Sequence, residues 1–500
     1  MKNNKEPRLW VLGTSLKDES FNIETLDKIL LFSQSSLKNL DSSSISIESF
    51  YSRKNFNNEI DSFNNGLRAL FLSCDKILKS NEISGSFYDN GFWFVHKLTD
   101  LFFIHSLCDQ IENQFSNVKF IVPKDFKKLS ISDCSLDDLN FNNLGIGLEH
   151  SLQFLYYGLP KSEILYSNKN DERWISFLRK LQFLKRSPEI LFRKIKDFMS
   201  ILKVFFLKAS TEKKILIAQT GYDADFLLRS FSKKTFKTIN FNEILKDTLS
   251  KEDISLNTIE NLEIEINNFL HKFLPRFSSP LKEFFNSYIK NVSPYANSIE
   301  KQLKRKLLSN KVDALVFSSG ATNLVDRKSC LLANALKIPV IFMRHQGIEL
   351  NFIPASLLDD FGDNDLTINR TQFLLNDYEI ESYPVQNNIT YKKGGFIEFS
   401  KPLPSKKEKK GILYSGGPPE HFTFKNPRAL ITNFERYNFA SKLISLTDKL
   451  NLQLDIKVHP AEWKLSTIFF KNLIKNNLVK NKPKVLFDGS IERIMMNYEL

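Results

Sequence analysis

Five hundred residues exceed what one hydrophobic core ordinarily serves, so two or three domains are expected, and 42% apolar with 25% charged residues is the balance of a globular chain. Four widely spaced cysteines (Cys74, Cys108, Cys134, Cys330) with no C-x-x-C pair argue against a disulfide framework or a zinc site and fit a reducing compartment. A net charge of +13 comes with no nucleic-acid recognition motif, no run reaches the ~18 apolar residues of a membrane span, and the polar start M-K-N-N-K-E-P-R does not read as a signal peptide, so a cytoplasmic protein is expected.

R-L-W-V-L-G-T-S (8–15) reads as a strand and its turn, with Thr14 and Ser15 suited either to a polar ligand or to capping. Residues 91–111 are apolar nearly all round, the pattern of a buried helix, and N-V-K-F-I-V-P (117–123) is a strand stopped by Pro123. A polar stretch (129–143) leads into a basic segment. Between Lys161 and Lys214 there are 14 Lys/Arg against 6 Asp/Glu, and in 174–208 they alternate with Phe, Leu and Ile at helical spacing. Such a face meets an anionic membrane surface, or is the solvated side of an ordinary helix pair; nucleic acid is the weaker option.

K-K-I-L-I-A-Q-T-G-Y-D (213–223) and T-F-K-T-I-N-F (235–241) restore the strand signal, and 251–310 read as helices. The stretch 312–351 is one strand–helix–strand step, which ends in R-H-Q-G. S-K-K-E-K-K (405–410) is a charged connector, followed by a strand and glycine turn at 411–419. A helix is predicted from Asn426-Pro427 to about Leu450, strands at 454–460 and 484–490, and a helix at 491–498 capped by Ser490. The alternation predicts an α/β fold with mostly parallel sheets: an N-terminal α/β domain (1–400) with a basic helical segment at about 150–210, a linker (401–410) and a second α/β domain (411–500). Three strands barely close a sheet, so a further strand after Tyr498 is expected and the second domain reads as incomplete.

In open α/β sheets ligands bind beyond the carboxyl ends of the strands. His345 stands at such an end and suits a base, an acid or a phosphate donor, with Arg344 for an anion and Gln346-Gly347 for a sharp turn. Lys457 shares a strand face with His459, and Pro460 ends that strand ahead of Glu462. Ser415, Gly416 and Gly417 could bring backbone N–H groups to a phosphate, although Pro418 and Pro419 remove two donors; Lys425 and Arg428 supply charge nearby, and His421 shares the loop. The turn S-S-G-A-T-N, with Ser318 and Ser319, contacts a polar ligand or caps the helix after it. Asp223 and Asp225 are candidate bases. Each of these also has a plain structural reading as a cap or surface loop.

I-P-V-I-F-M-R-H-Q-G, I-K-V-H-P and F-D-G-S-I-E-R-I-M together resemble the two-domain GT-B glycosyltransferases, in particular the bacterial capsule and surface-polysaccharide group related to CDP-glycerol glycerophosphotransferases and to sialyl- and Kdo-transferases. The likeness spans about 312–500. It implies two Rossmann-like domains, His459 on the donor phosphate and His345 near the reacting centre. It also implies a nucleotide-sugar donor, a glycan or lipid-linked acceptor, and no cofactor or metal. Gln346 separates His345 from Gly347, where the family has the pair adjacent, and the family's Ser/Thr motif after the last helix does not occur in these 500 residues. A polyol-phosphate transferase of the same fold, or a non-catalytic scaffold that binds glycan or protein, are the other functions these residues allow.

Overall fold

The computed structural model describes residues 7–13, 21–31, 53–124, 151–167, 213–217, 236–240, 249–317, 323–343, 367–374, 387–393, 411–415, 433–458 and most of 470–486, with a few isolated positions between. Every strand pairing among them is parallel.

The N-terminal sheet holds β1 (Leu9–Leu12), β2 (Lys28–Leu31), β3 (Ser44–Ile45), β4 (Val118–Pro123) and β5 (Glu163–Ser167) in the order β3-β2-β1-β4-β5. L-W-V-L of β1 is buried throughout, the continuous apolar run of a strand covered on both faces. Leu9 and Val11 face the main core. Trp10 and Leu12 join Ile29, Ile121, Ile444 and Ile456 in a second cluster, which thus includes C-terminal residues.

The central sheet holds β6 (Lys213–Ile217), β7 (Phe236–Asn240), β8 (Ala314–Phe317), β9 (Val340–Met343), β10 (Arg370–Leu374) and β11 (Ile389–Lys393) in the order β11-β10-β9-β8-β6-β7. A third sheet, β12-β13-β14, holds Ile412–Ser415, Leu454–Lys457 and Lys484–Leu486. The parallel α/β architecture predicted from the alternation is therefore present, and the first 400 residues contain two of the three sheets. At about 150–210 the prediction needs correction. A helix at Ser151–Gly158 is followed by β5, which pairs with β4, because E-I-L-Y-S supplies the strand pattern the basic count concealed. Residues 168–208, which carry the basic helical pattern, lie outside the described residues.

Aromatic side chains of several helices pack on one another in the main core. We number the helices α1 (Arg53–Ser80), α2 (Gly91–Gln114), α3 (Ser151–Gly158), α4 (Leu256–Phe273), α5 (Ser278–Asn291), α6 (Ala296–Ser309), α7 (Leu324–Ala335) and α8 (Asn433–Lys449). The stripe Phe63, Leu67, Leu70, Phe71, Cys74 and Leu78 keeps a 3.6-residue period on α1 and is buried. Phe63 stacks on Phe102 at 4.4 Å, and Phe94 meets Phe284, Phe285 and Tyr288 at 5.0–6.0 Å. Helix α2 buries nearly every side, as its sequence predicts. Ser255 caps α4, accepting from the Thr258 N–H at 3.2 Å. No helix of the described residues is long and apolar enough to cross a membrane.

Candidate functional site

Strand order fixes where a ligand crevice forms. From β6 the chain steps to β7 on one side, then to β8, β9, β10 and β11 on the other, so winding reverses between β6 and β8. Beyond the carboxyl ends of two such strands the connections diverge and leave a cleft. Here those ends are Ile217 and Phe317, with Ile217 paired to Val316 and Phe317 to Phe342 of β9. The segments that follow in sequence begin at Ala218, Ser318 and Arg344. Ser318, Ser319, Asp223, Asp225, Arg344, His345, Gln346 and Gly347 themselves lie outside the described residues.

The N-terminal sheet reverses between β1 and β4, but the start of that crevice is filled. The Gly13 N–H donates to Ile121 O at 2.8 Å, and a Cβ on Gly13 would sit 2.4 Å from Leu152 Cδ2 of α3. A side chain there would have to displace Leu152. Thr14 and Ser15 lie outside the described residues.

In the third sheet Lys457 is described. It is buried at the end of β13, opposite Leu486, and its Nζ donates to Val458 O at 2.9 Å. His459, Gly416, Gly417, His421, Lys425, Arg428 and Glu462 lie outside the described residues.

One group of polar residues escaped the sequence reading. A cavity of about 950 Å³ lies between α1, the turn 82–89, α6 and α7. Its floor holds Asp89, Arg327 and Lys328, each 6–7% exposed. Arg327 Nη1 pairs with Asp89 Oδ1, its Nη2 donates to Thr367 Oγ1 at 2.7 Å, and the guanidinium lies over the Tyr88 ring at 4.7 Å. Lys328 Nζ is 3.1 Å from Asp89 Oδ2 and 3.3 Å from Glu300 Oε2, which also accepts from Ser84 Oγ at 2.7 Å. Burial alone would lower the Lys328 ammonium pKa; Asp89 and Glu300 outweigh it and hold it above the ordinary value.

Asp75 from α1 accepts the N–H groups of Ser86, Phe87 and Tyr88 at 2.8–3.1 Å and so folds the turn around its carboxylate. Burial, with the nearby charge of Asp89, pushes its pKa up against those three bonds. A Cβ on Gly85 would lie 2.7 Å from the Asp75 Cγ, so this turn admits glycine.

Two N–H groups at the start of α7 have side-chain partners. Asn323 accepts from the Asp326 N–H at 2.9 Å, and Asn90 accepts from the Leu324 N–H at 2.9 Å. Of the two readings of S-S-G-A-T-N, capping is thus seen at Asn323. The floor cations are committed to internal carboxylates, and the exposed Lys76 and Lys79 of α1 line the same cavity. The arrangement joins the N-terminal helices to α6 and α7 and leaves a cavity with charged residues in an otherwise largely apolar lining. The local signals were Y-D-N-G (88–91) and three successive charges, D-R-K (326–328), in the first turn of a helix. Among the described residues no group of His, Cys, Asp or Glu is placed to hold a metal ion.

No protein-family model matches the chain, and no curated protein matches it. Among solved structures it is similar to MurG of Acinetobacter baumannii (12% identity, 57% of this chain and 70% of that one, TM-score 0.29). It is also similar to UDP-N-acetylglucosamine 2-epimerase from Rickettsia bellii (14%, 58% and 73%, 0.30) and to S. aureus MnaA in a co-structure with UDP (11%, 57% and 72%, 0.30).

Proposed function

We propose that the chain is a transferase that moves a sugar from a nucleotide-activated donor to a surface-glycan or lipid-linked acceptor at the cytoplasmic face of a membrane. The observation that carries the reading is the reversal of strand order between β6 and β8, at the edge from which Ser318 and, from β9, Arg344-His345 continue. His345, or Asp223, takes the proton of the acceptor hydroxyl as its oxygen bonds to the anomeric carbon. The bond from that carbon to the phosphate oxygen breaks, and the nucleotide phosphate leaves with the electron pair. His459, the glycine pair Gly416-Gly417, Lys425 and Arg428 stabilise the departing charge. Lys457, whose ammonium is bonded to Val458 O, contributes positive charge beneath the β13 tip rather than a direct contact. Arg344, Gln346, Gly347, Ser318 and Ser319 shape the acceptor side. Neither cofactor nor metal enters this scheme, and the basic segment 174–208 is a point of peripheral contact with an anionic membrane.

Calorimetry with nucleoside mono- and diphosphates, and turnover with a panel of nucleotide-sugars, test the proposal on the full chain. His459→Ala is expected to weaken nucleotide binding roughly 10–100-fold. His345→Ala is expected to lower turnover by about 10²–10⁴ while binding stays near wild type. A protein that binds no nucleotide, or whose turnover ignores both changes, would sink the reading. Turnover with a nucleotide-activated polyol phosphate alone would redirect it to that donor class.

A further inference from the structure

Helix α8 has two apolar faces. Ala440, Ile444 and Thr447 turn inward against β13. A second row, Phe439, Leu443 and Leu446, with Leu450 just past the helix end, follows at spacings of four, three and four residues along one side, and Leu443 is half-buried against the same core. Phe439 is 56% exposed, Leu446 52% and Leu450 59%. Phe439 leans on the Tyr414 ring at 5.7 Å, which leaves most of the row in water. Single exposed leucines are ordinary, whereas an aligned row marks an interaction face.

Two exposed lysines flank that row on one side. Lys442 and Lys449 lie three residues on from Phe439 and Leu446, along its flank. The segment packed on the opposite side of α8 carries Lys471, Lys475, Lys480, Lys482 and Lys484, all exposed. That segment is tied to α8 by Ser441 Oγ on Asn477 Oδ1 at 2.7 Å and by the Asn481 N–H on Asp448 Oδ1 at 2.7 Å. None of these lysines has an ion-pair partner among the described residues. Of the neighbouring carboxylates, Asp448 is half-buried, accepts from the Asn481 N–H and keeps its charge, and Asp455 is buried.

We infer that this face of α8 docks on an anionic lipid surface. The apolar row enters the boundary between headgroups and acyl chains, and the lysines meet headgroup phosphates. Charge complementarity decides the occupant. A nucleic acid would use the lysines but bury nothing of Phe439 and Leu446, and a second copy of this face would bring lysine against lysine. The contact is separate from residues 174–208 and does not depend on the transferase reading.

The test is co-sedimentation of the full chain with phosphatidylcholine vesicles, with and without phosphatidylglycerol. Binding is expected only with the anionic lipid and to weaken with salt. Replacing Phe439, Leu446 and Leu450 together by serine should lower the partition coefficient at least tenfold. Lys442→Gln and Lys449→Gln should each lower it about fivefold. Leu446→Cys gives a labelling site, because all four native cysteines are buried, and an attached fluorophore should shift to the blue on vesicle addition. If the serine variant fails to fold, the lysine variants and the fluorophore decide alone. The inference is overturned if anionic vesicles do not bind the chain. It is equally overturned if binding survives the serine and lysine changes and is lost only on neutralising 174–208, or if the serine variant turns a dimer into a monomer. Lysine changes that abolish RNA binding but spare vesicles would overturn it as well.

Discussion

Replacing Asp89 with alanine removes the carboxylate that Arg327 and Lys328 share. Both cations stay buried, at 6% exposure. Arg327 keeps Thr367 and the Tyr88 ring; Lys328 keeps Glu300, whose side chain is 42% exposed and therefore screened by water. Stranding a buried charge in this way costs about 3–5 kcal/mol. Lys328→Met is expected to cost only about 1–2 kcal/mol, since Asp89 retains Arg327 and a methionine of similar length fills the space. Urea unfolding followed by circular dichroism at neutral pH measures both.

The pH dependence has a fixed sign. The raised pKa of Lys328 gives stability that is complete below the unfolded lysine value near 10.4 and is lost as pH rises through the higher folded value. Without Asp89 less opposes the effect of burial, and the alkaline loss should begin at lower pH. An Asp89→Ala cost under about 1 kcal/mol, or one smaller than that of Lys328→Met, would refute the view that this network is dry and obligatory.

Asp27 gives an acid-side counterpart. Burial would raise its pKa, but Arg8 at 2.8 Å, the Glu24 N–H and Trp10 Nε1 hold it down to about 2. Its contribution is present above the unfolded value near 3.9 and fades as pH falls toward 2, so Asp27→Asn should flatten the stability profile in that window; an unchanged profile contradicts the assignment. Gly411 has φ +53°, and a Cβ there would meet Gln453 O at 2.2 Å. Gly411→Ala should cost roughly 1–3 kcal/mol in the third sheet, read as faster exchange of the β12 and β13 amides. Unaltered exchange would contradict that.

Strands announced themselves where their residues form a continuous apolar run. L-W-V-L, F-I-V-P, A-L-V-F and V-I-F-M are short apolar runs that end at Gly, Pro or Ser or lead into a polar turn, and β1, β4, β8 and β9 stand where those runs lie. Strands β10 and β11 did not, because R-T-Q-F-L and I-T-Y-K-K carry polar residues at strand positions. Arg370 is nonetheless buried, with its guanidinium over the Phe342 ring at 5.0 Å. In α1 the polar residues of the outer face dilute a stripe that is regular once its buried apolar positions are marked. Strand-end positions such as those before His345 can be nominated from order alone, since a parallel strand delivers the next residue to one edge. The cavity network cannot, because Asp89 and Arg327 are 238 residues apart and pairing over that distance leaves no local trace.

The long reach of the aromatic layer has a consequence for synthesis on the ribosome. Helices α1 and α2 are complete by Gln114, yet Phe63 and Phe94 are covered by Phe269, Phe284 and Phe285, whose helices end only at Asn291. At elongation rates of about 5–20 residues per second, that phenylalanine surface stays open for roughly ten to thirty seconds on every nascent chain. Chaperone demand, and loss to aggregation when translation outpaces it, should therefore follow the delivery of α4 and α5.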